Sequence, residues 1–140
     1  MRSNDSPFLP AAEWLLRLGL AAGFLVAVAD RFGLWGAPGS SPNVSWGDWT
    51  HFRSYSDMLN HWLPATLRPA AAVGATAAEA VLGLGLLTPW RTKWVAGLAG
   101  LLLVSFAVTM TFVLGPKAPL NYSVWSAAGG ALVLAAISRR

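Results

Sequence analysis

Arg17 and Glu79 have the most chemistry to offer, because each is an ionisable side chain set inside an otherwise apolar stretch. Taking an ion out of water into hydrocarbon costs several kcal/mol, so such a residue is retained where it has a partner or a task. If the two stretches run in opposite directions across a bilayer, Arg17 lies roughly 8 Å inside one end and Glu79 roughly 12 Å from the same end. A long arginine side chain bridges that difference in depth. The positions therefore predict an Arg17–Glu79 pair, which offsets much of the desolvation of both groups. In a second reading Arg17 extends to the headgroups and pairs with Glu13, four residues earlier on the same helical face, and Glu79 stays uncharged. Either arrangement can fix helix register, and either can serve a quinone, lipid or proton site.

Other polar groups gather near segment ends. Asp30 and Arg68 stand at facing ends of two apolar runs, with Arg31, Asp48, Arg53 and Asp57 in the same layer. His51 and His61 lack the regular spacing of metal ligands, so no metal site is expected. Asn121, Tyr122, Ser123 and Trp125 open the last apolar run with aromatic walls and polar tips, a setting for a ring-shaped ligand as well as for plain helix capping. The chain has no Cys, which removes disulfides, thiol catalysis and thiolate metal sites. It also lacks a phosphate loop, a dinucleotide glycine pattern and a Ser–His–Asp set.

The elements that must position these groups are apolar helices. Of the 140 residues, 55% are hydrophobic, too many for a water-facing surface. Four runs stand out, at about 12–29, 65–87, 94–114 and 120–138. The third carries no charge and is roughly 31 Å long as a helix, enough to cross a hydrocarbon core of about 30 Å. The reading is an all-α membrane protein: one domain over residues 1–140, with four transmembrane helices in an antiparallel bundle. Between the first and second helices lies a long Trp-rich loop. Within it residues 51–63 fit an interfacial helix, with Phe52, Tyr55, Leu59 and Leu63 on one side. Gly19 and Gly23 form a small-xxx-small stretch suited to close helix approach. The first run ends at Asp30-Arg31 with no small-residue cleavage site, so it is expected to be retained.

The net charge is +4, yet the basic residues are dispersed at segment ends. That pattern anchors a protein to anionic headgroups and argues against nucleic acid. Arg91 and Lys93 in one short turn, Arg139 and Arg140 in the tail, and Arg2 place both termini on the cytoplasmic side by the Lys/Arg bias.

Three stretches carry a family resemblance: Arg17-Leu18 with Phe24; Glu79-Ala80-Val81-Leu82-Gly83-Leu84-Gly85-Leu86-Leu87-Thr88-Pro89-Trp90-Arg91; and Lys117-Ala118-Pro119-Leu120-Asn121-Tyr122. Over nearly the whole chain the sequence resembles the DoxX family of small four-helix membrane proteins. The resemblance implies a bacterial cytoplasmic (inner) membrane location. It also implies links to a thiosulfate–quinone oxidoreductase or to secreted redox-detoxifying proteins, with Arg17, Glu79 and Arg91 as recurring polar positions. The expected function is a membrane subunit or scaffold of a quinone-linked redox system. Its ligand would be a quinone or lipid contacted by Arg17, Glu79, Arg68, Tyr122 and Trp125, and its partners a redox protein, membrane lipid and further copies of the chain. Two alternatives stand beside it: a lipid or small-solute carrier acting as an oligomer, and a purely structural membrane protein.

Overall fold

The apolar runs fold as helices whose boundaries follow backbone chemistry. The computed structural model describes residues 6–138. Its elements are α1 (Leu9–Arg31), α2 (Trp49–Leu59), α3 (Arg68–Leu87), α4 (Thr92–Leu114), α5 (Lys117–Asn121) and α6 (Val124–Ile137). Pro10 and Pro69 sit in the first turns of α1 and α3, where a missing N–H removes no helical hydrogen bond. Gly115, at φ 86°, ends α4 just before Pro116.

Three of these helices are long and apolar enough to cross a membrane: α1, α3 and α4, with 23, 20 and 23 residues. The four-span expectation is therefore corrected. The last apolar run, taken as one helix over 120–138, is broken at Ser123, whose backbone is left-handed at φ 55°. Ahead of the break, Pro119 is buried and the five-residue α5 ends at Asn121. Asn and Ser compete locally with helical hydrogen bonding, which favours a turn there. The 14 residues of α6 rise about 21 Å, short of a hydrocarbon core of about 30 Å.

The bundle pairs α1 with α3 and α4 with α6, and the short α3–α4 turn joins the two pairs. Its core is Ala21 and Phe24 of α1, Leu82 and Leu86 of α3, Ala96 and Ala99 of α4, and Ala131 and Leu134 of α6. Alanine at half of these positions lets backbones approach closely, the packing mode expected where lipid is the solvent. Gly100 shows how close: a Cβ there would stand 2.6 Å from Leu132 Cδ2. Gly19 and Gly23 do not act this way. A Cβ on either meets nothing within 4 Å, because the packing face of α1 runs through Arg17, Ala21 and Phe24 instead.

The Trp-rich loop and α2 cap one end of the bundle. The expected helix within the loop forms, shifted to Trp49–Leu59, with Phe52 and Ser56 buried. Asp48 begins it by accepting the His51 amide at 2.8 Å, satisfying one of the orphan donors of a first turn. That amide, and next the His51 ring, hold the Asp48 carboxyl below its usual range. Burial, and then the neighbouring charge of Tyr122, push the Tyr55 hydroxyl upward. Gly47 is required where it stands: its φ is +74° and a Cβ would lie 2.5 Å from Pro38 N. Arg2, Arg139 and Arg140, which entered the orientation argument, lie outside the described residues.

Candidate functional site

One guanidinium holds the capped end together. Arg31, the last residue of α1, is 3% exposed and turns back into the bundle. It forms an ion pair with Glu79 of α3, and its Nη1 donates to Thr76 Oγ1 at 2.6 Å. Its Cζ lies 3.9 Å from the Phe52 ring centroid and 5.4 Å from that of Trp46, within cation–π range. Thr76 Oγ1 in turn donates a hydrogen bond to Ala72 O at 2.8 Å. Next door, Asp30 Oδ2 accepts the amides of Ser45 and Trp46, each at 2.9 Å. Consecutive residues thus fix the cap loop and α3 onto α1. Among the described residues, the buried Arg31 Nε and Asp30 Oδ1 have no hydrogen-bond partner.

The Arg17–Glu79 pair is not formed. Arg17 Nε donates to Leu86 O at 2.9 Å, and Nη2 donates to Thr88 O. Its Cζ lies 4.2 Å over Trp14. The carbonyls at a helix C-terminus lack helical partners and carry partial negative charge, so they attract a cation strongly. Leu86 is about 10 Å along α3 from Glu79, so a guanidinium bound there cannot also serve the carboxylate. Glu13 instead accepts from Ser138 Oγ at 3.4 Å. The structure thus separates Arg17 and Glu79, two of the five residues assigned to a ligand site. Arg68 donates to Leu63 O at 3.1 Å and His61 O at 2.7 Å, bracing the approach to α3. Tyr122 and Trp125 are 76% and 41% exposed beside the Ser123 break. His51 Nδ1 meets Asp48 Oδ1 at 2.8 Å and His61 Nδ1 meets Met58 O at 3.1 Å.

Beside the Arg31–Glu79 pair an open groove of about 530 Å³ faces outward. Val28 and Phe32 form one side, Val73, Thr76, Ala77 and Ala80 of α3 the other, and Trp49 the end nearest the cap. Phe32 and Trp49 stack with centroids 5.9 Å apart and planes 11° from parallel. Thr76 is the point where groove and ion pair touch. Its hydroxyl proton is already committed to Ala72, so it can accept from a guest but not donate. No lining residue is titratable. The groove is therefore apolar apart from the Thr76 hydroxyl, and its walls offer no proton to transfer.

The family described as methylamine utilisation protein MauE matches residues 9–121. The chain belongs to the MauE family. MauE is in the same DoxX-like membrane-protein superfamily, so the sequence resemblance holds at the level of that superfamily. The finding establishes a small multi-span membrane protein of this superfamily. No curated protein and no solved structure matches the chain. The MauE match runs from α1 through α5 and stops before α6. It contains Arg17, Arg31, Glu79, Arg91 and every residue of the groove, so the candidate site lies in the part of the chain that carries the MauE likeness.

Four residues central to the site were not assigned to it from sequence: Arg31, Thr76, Trp46 and Phe52. Thr76 and Glu79 did leave a signal. Residues three apart share a helix face, so the two together mark a polar stripe on α3 that rises toward the capped end. Arg31 is the cation at that end of α1. The aromatic cover left no local signal, because its position depends on how the loop folds back.

Proposed function

We propose that this MauE-family chain is a membrane scaffold subunit of a quinone-linked redox system that serves amine utilisation, and that its groove holds the lipid-soluble quinone. The observation carrying this reading is the apolar groove with a stacked Phe32–Trp49 wall set against a buried ion pair. A flat ring suits the aromatic wall, and an isoprenoid tail suits Val28, Val73, Ala77 and Ala80. Trp49 makes no side-chain hydrogen bond among the described residues, so its indole N–H is available to a carbonyl. The bound quinone would supply two-electron acceptor chemistry. The chain's residues bind and orient it, while a separate redox protein delivers the two electrons and water at the open mouth of the groove supplies the two protons that a quinol needs. The family description supplies the metabolic setting, and the DoxX-like resemblance supplies the quinone link. The proposed location is the bacterial inner membrane with the Arg91–Lys93 turn in the cytoplasm.

The test is a titration of detergent-purified protein with a short-chain quinone analogue, followed by Trp fluorescence, beside native mass spectrometry of gently extracted protein. Saturable quenching is expected. Ala77→Phe, which fills the groove, is expected to weaken it by about tenfold, equivalent to roughly 1.4 kcal/mol. Absence of both saturable quenching and copurifying quinone overturns the reading.

A further inference from the structure

At the opposite end of the bundle from the cap, the α3–α4 turn presents a second set of polar and aromatic groups that the groove does not use. Trp90 and Trp94 are 70% and 66% exposed. Arg91 and Lys93 are exposed between them, and among the described residues neither forms a salt bridge. The Arg91 Cζ lies 5.0 Å from the Trp90 ring centroid. Its backbone is left-handed at φ 51°, a conformation that costs a side-chain-bearing residue energy and persists only where its surroundings impose it. Here they do. The buried Arg17 grips Leu86 O and Thr88 O, so the turn is anchored from beneath just before Pro89. The described acid nearest this end, Glu13, is engaged by Ser138.

We propose that the α3–α4 turn is a preorganised clamp for the headgroup of an anionic phospholipid. Two unpaired cations supply the charge complement to a lipid phosphate. The flanking indoles sit where amphipathic rings prefer the boundary between headgroup and chain. Because Arg17 ties down the chain at Leu86 and Thr88, where it enters the turn, binding needs less further ordering, and that preserves affinity. Dispersed basic residues attract an anionic surface without choosing a site. With Arg91 at φ 51°, the two cations project from one short turn between two indoles, and this is what distinguishes a clamp from general attraction. The proposal is independent of the groove and of any quinone.

The experiment uses full-length protein in phosphatidylcholine nanodiscs that carry increasing brominated phosphatidylglycerol. Quenching of Trp90 and Trp94 is isolated by comparison with Trp90→Phe/Trp94→Phe. Wild type is expected to prefer phosphatidylglycerol over phosphatidylcholine. Arg91→Gln and Lys93→Gln are each expected to lower that preference about fivefold, and the pair about thirtyfold. Both side chains are exposed, so thermal unfolding should be unchanged and confirms intact folding. Inorganic phosphate is the competing probe. If it leaves the preference intact, the lipid source is supported; if it removes the preference, the site takes a free anion and the proposal fails. Equal selectivity in wild type and both variants, or no preference in wild type, overturns it as well.

Discussion

Arg31 serves three elements with one side chain: it ends α1, pairs with Glu79 and Thr76 on α3, and lies against Phe52 and Trp46 of the cap. Both ion-pair partners are about 95% buried, with side-chain exposures of 4% and 5%. Breaking such a pair from one side strands an uncompensated charge at a cost of roughly 3–5 kcal/mol, whereas replacing both partners by apolar residues of similar volume is often neutral. Glu79→Ala is therefore expected to lose about that much stability in detergent unfolding, and Arg31→Met/Glu79→Leu to recover most of it. Equal losses for the single and double variants would contradict this account. Glu79 was legible in the sequence as a residue in need of a partner, but its partner was not. Depth along a helix narrows the options without ranking them. Arg17 found a better site in the open carbonyls at the end of α3, and only a Glu79 partner reaching in from the other direction was left. That assignment needs the packed backbone, because nothing in residue spacing says which carbonyls are exposed.

The helices show the same division between what a linear pattern holds and what packing decides. The boundaries of α3 and α4 are close to those expected from apolar run length and the flanking Pro and Gly. The last run failed because a hydropathy sum does not register one residue at φ 55°. Glycine roles diverge for a related reason: packing face, not spacing, decides them. On α4, a Cβ at Gly97 meets Ala135 Cβ at an ordinary 3.8 Å, while one at Gly100 would collide with Leu132 at 2.6 Å. Gly97→Ala should gain up to about 1 kcal/mol from helix propensity. Gly100→Ala should instead lose about 1–3 kcal/mol by overpacking the α4–α6 interface. Thermal unfolding of the two variants side by side separates them. The cap helix carries a pH prediction. The Asp48 carboxyl is held below its usual range chiefly by the His51 amide. A depressed native pKa gives stability that is present above the unfolded value and lost as pH falls through the native one. The first turn of α2 should therefore hold at neutral pH and fray in acid below about pH 4, seen as faster hydrogen exchange at the His51 amide. Asp48→Asn, still a good N-cap, should remove that acid dependence.

At the scale of the whole molecule, the long apolar helices α1, α3 and α4 separate two chemically different ends. The cap end holds α2, the Trp46–Phe52 aromatic cover and two ion pairs, Arg31 with Glu79 and Arg53 with Asp57. The other end holds Arg91 and Lys93, exposed and without salt bridges among the described residues. Lys and Arg in a short turn close to the ends of the spans favour the cytoplasmic side, and Asp and Glu contribute little to orientation. The 20 residues of α3 rise about 30 Å, enough to put its two ends in different aqueous compartments. Because the parent chain has no Cys, single cysteines can be introduced without background. Thr50→Cys and Lys93→Cys should react with a membrane-impermeant maleimide from opposite sides of intact cells and inverted vesicles. Thr50 should be labelled from outside and Lys93 only after inversion. Reversal of the two would keep α3 as a span and refute the proposed orientation. Labelling of both from one side would remove α3 from the membrane altogether, and with it the reason for Glu79 to hold a buried partner.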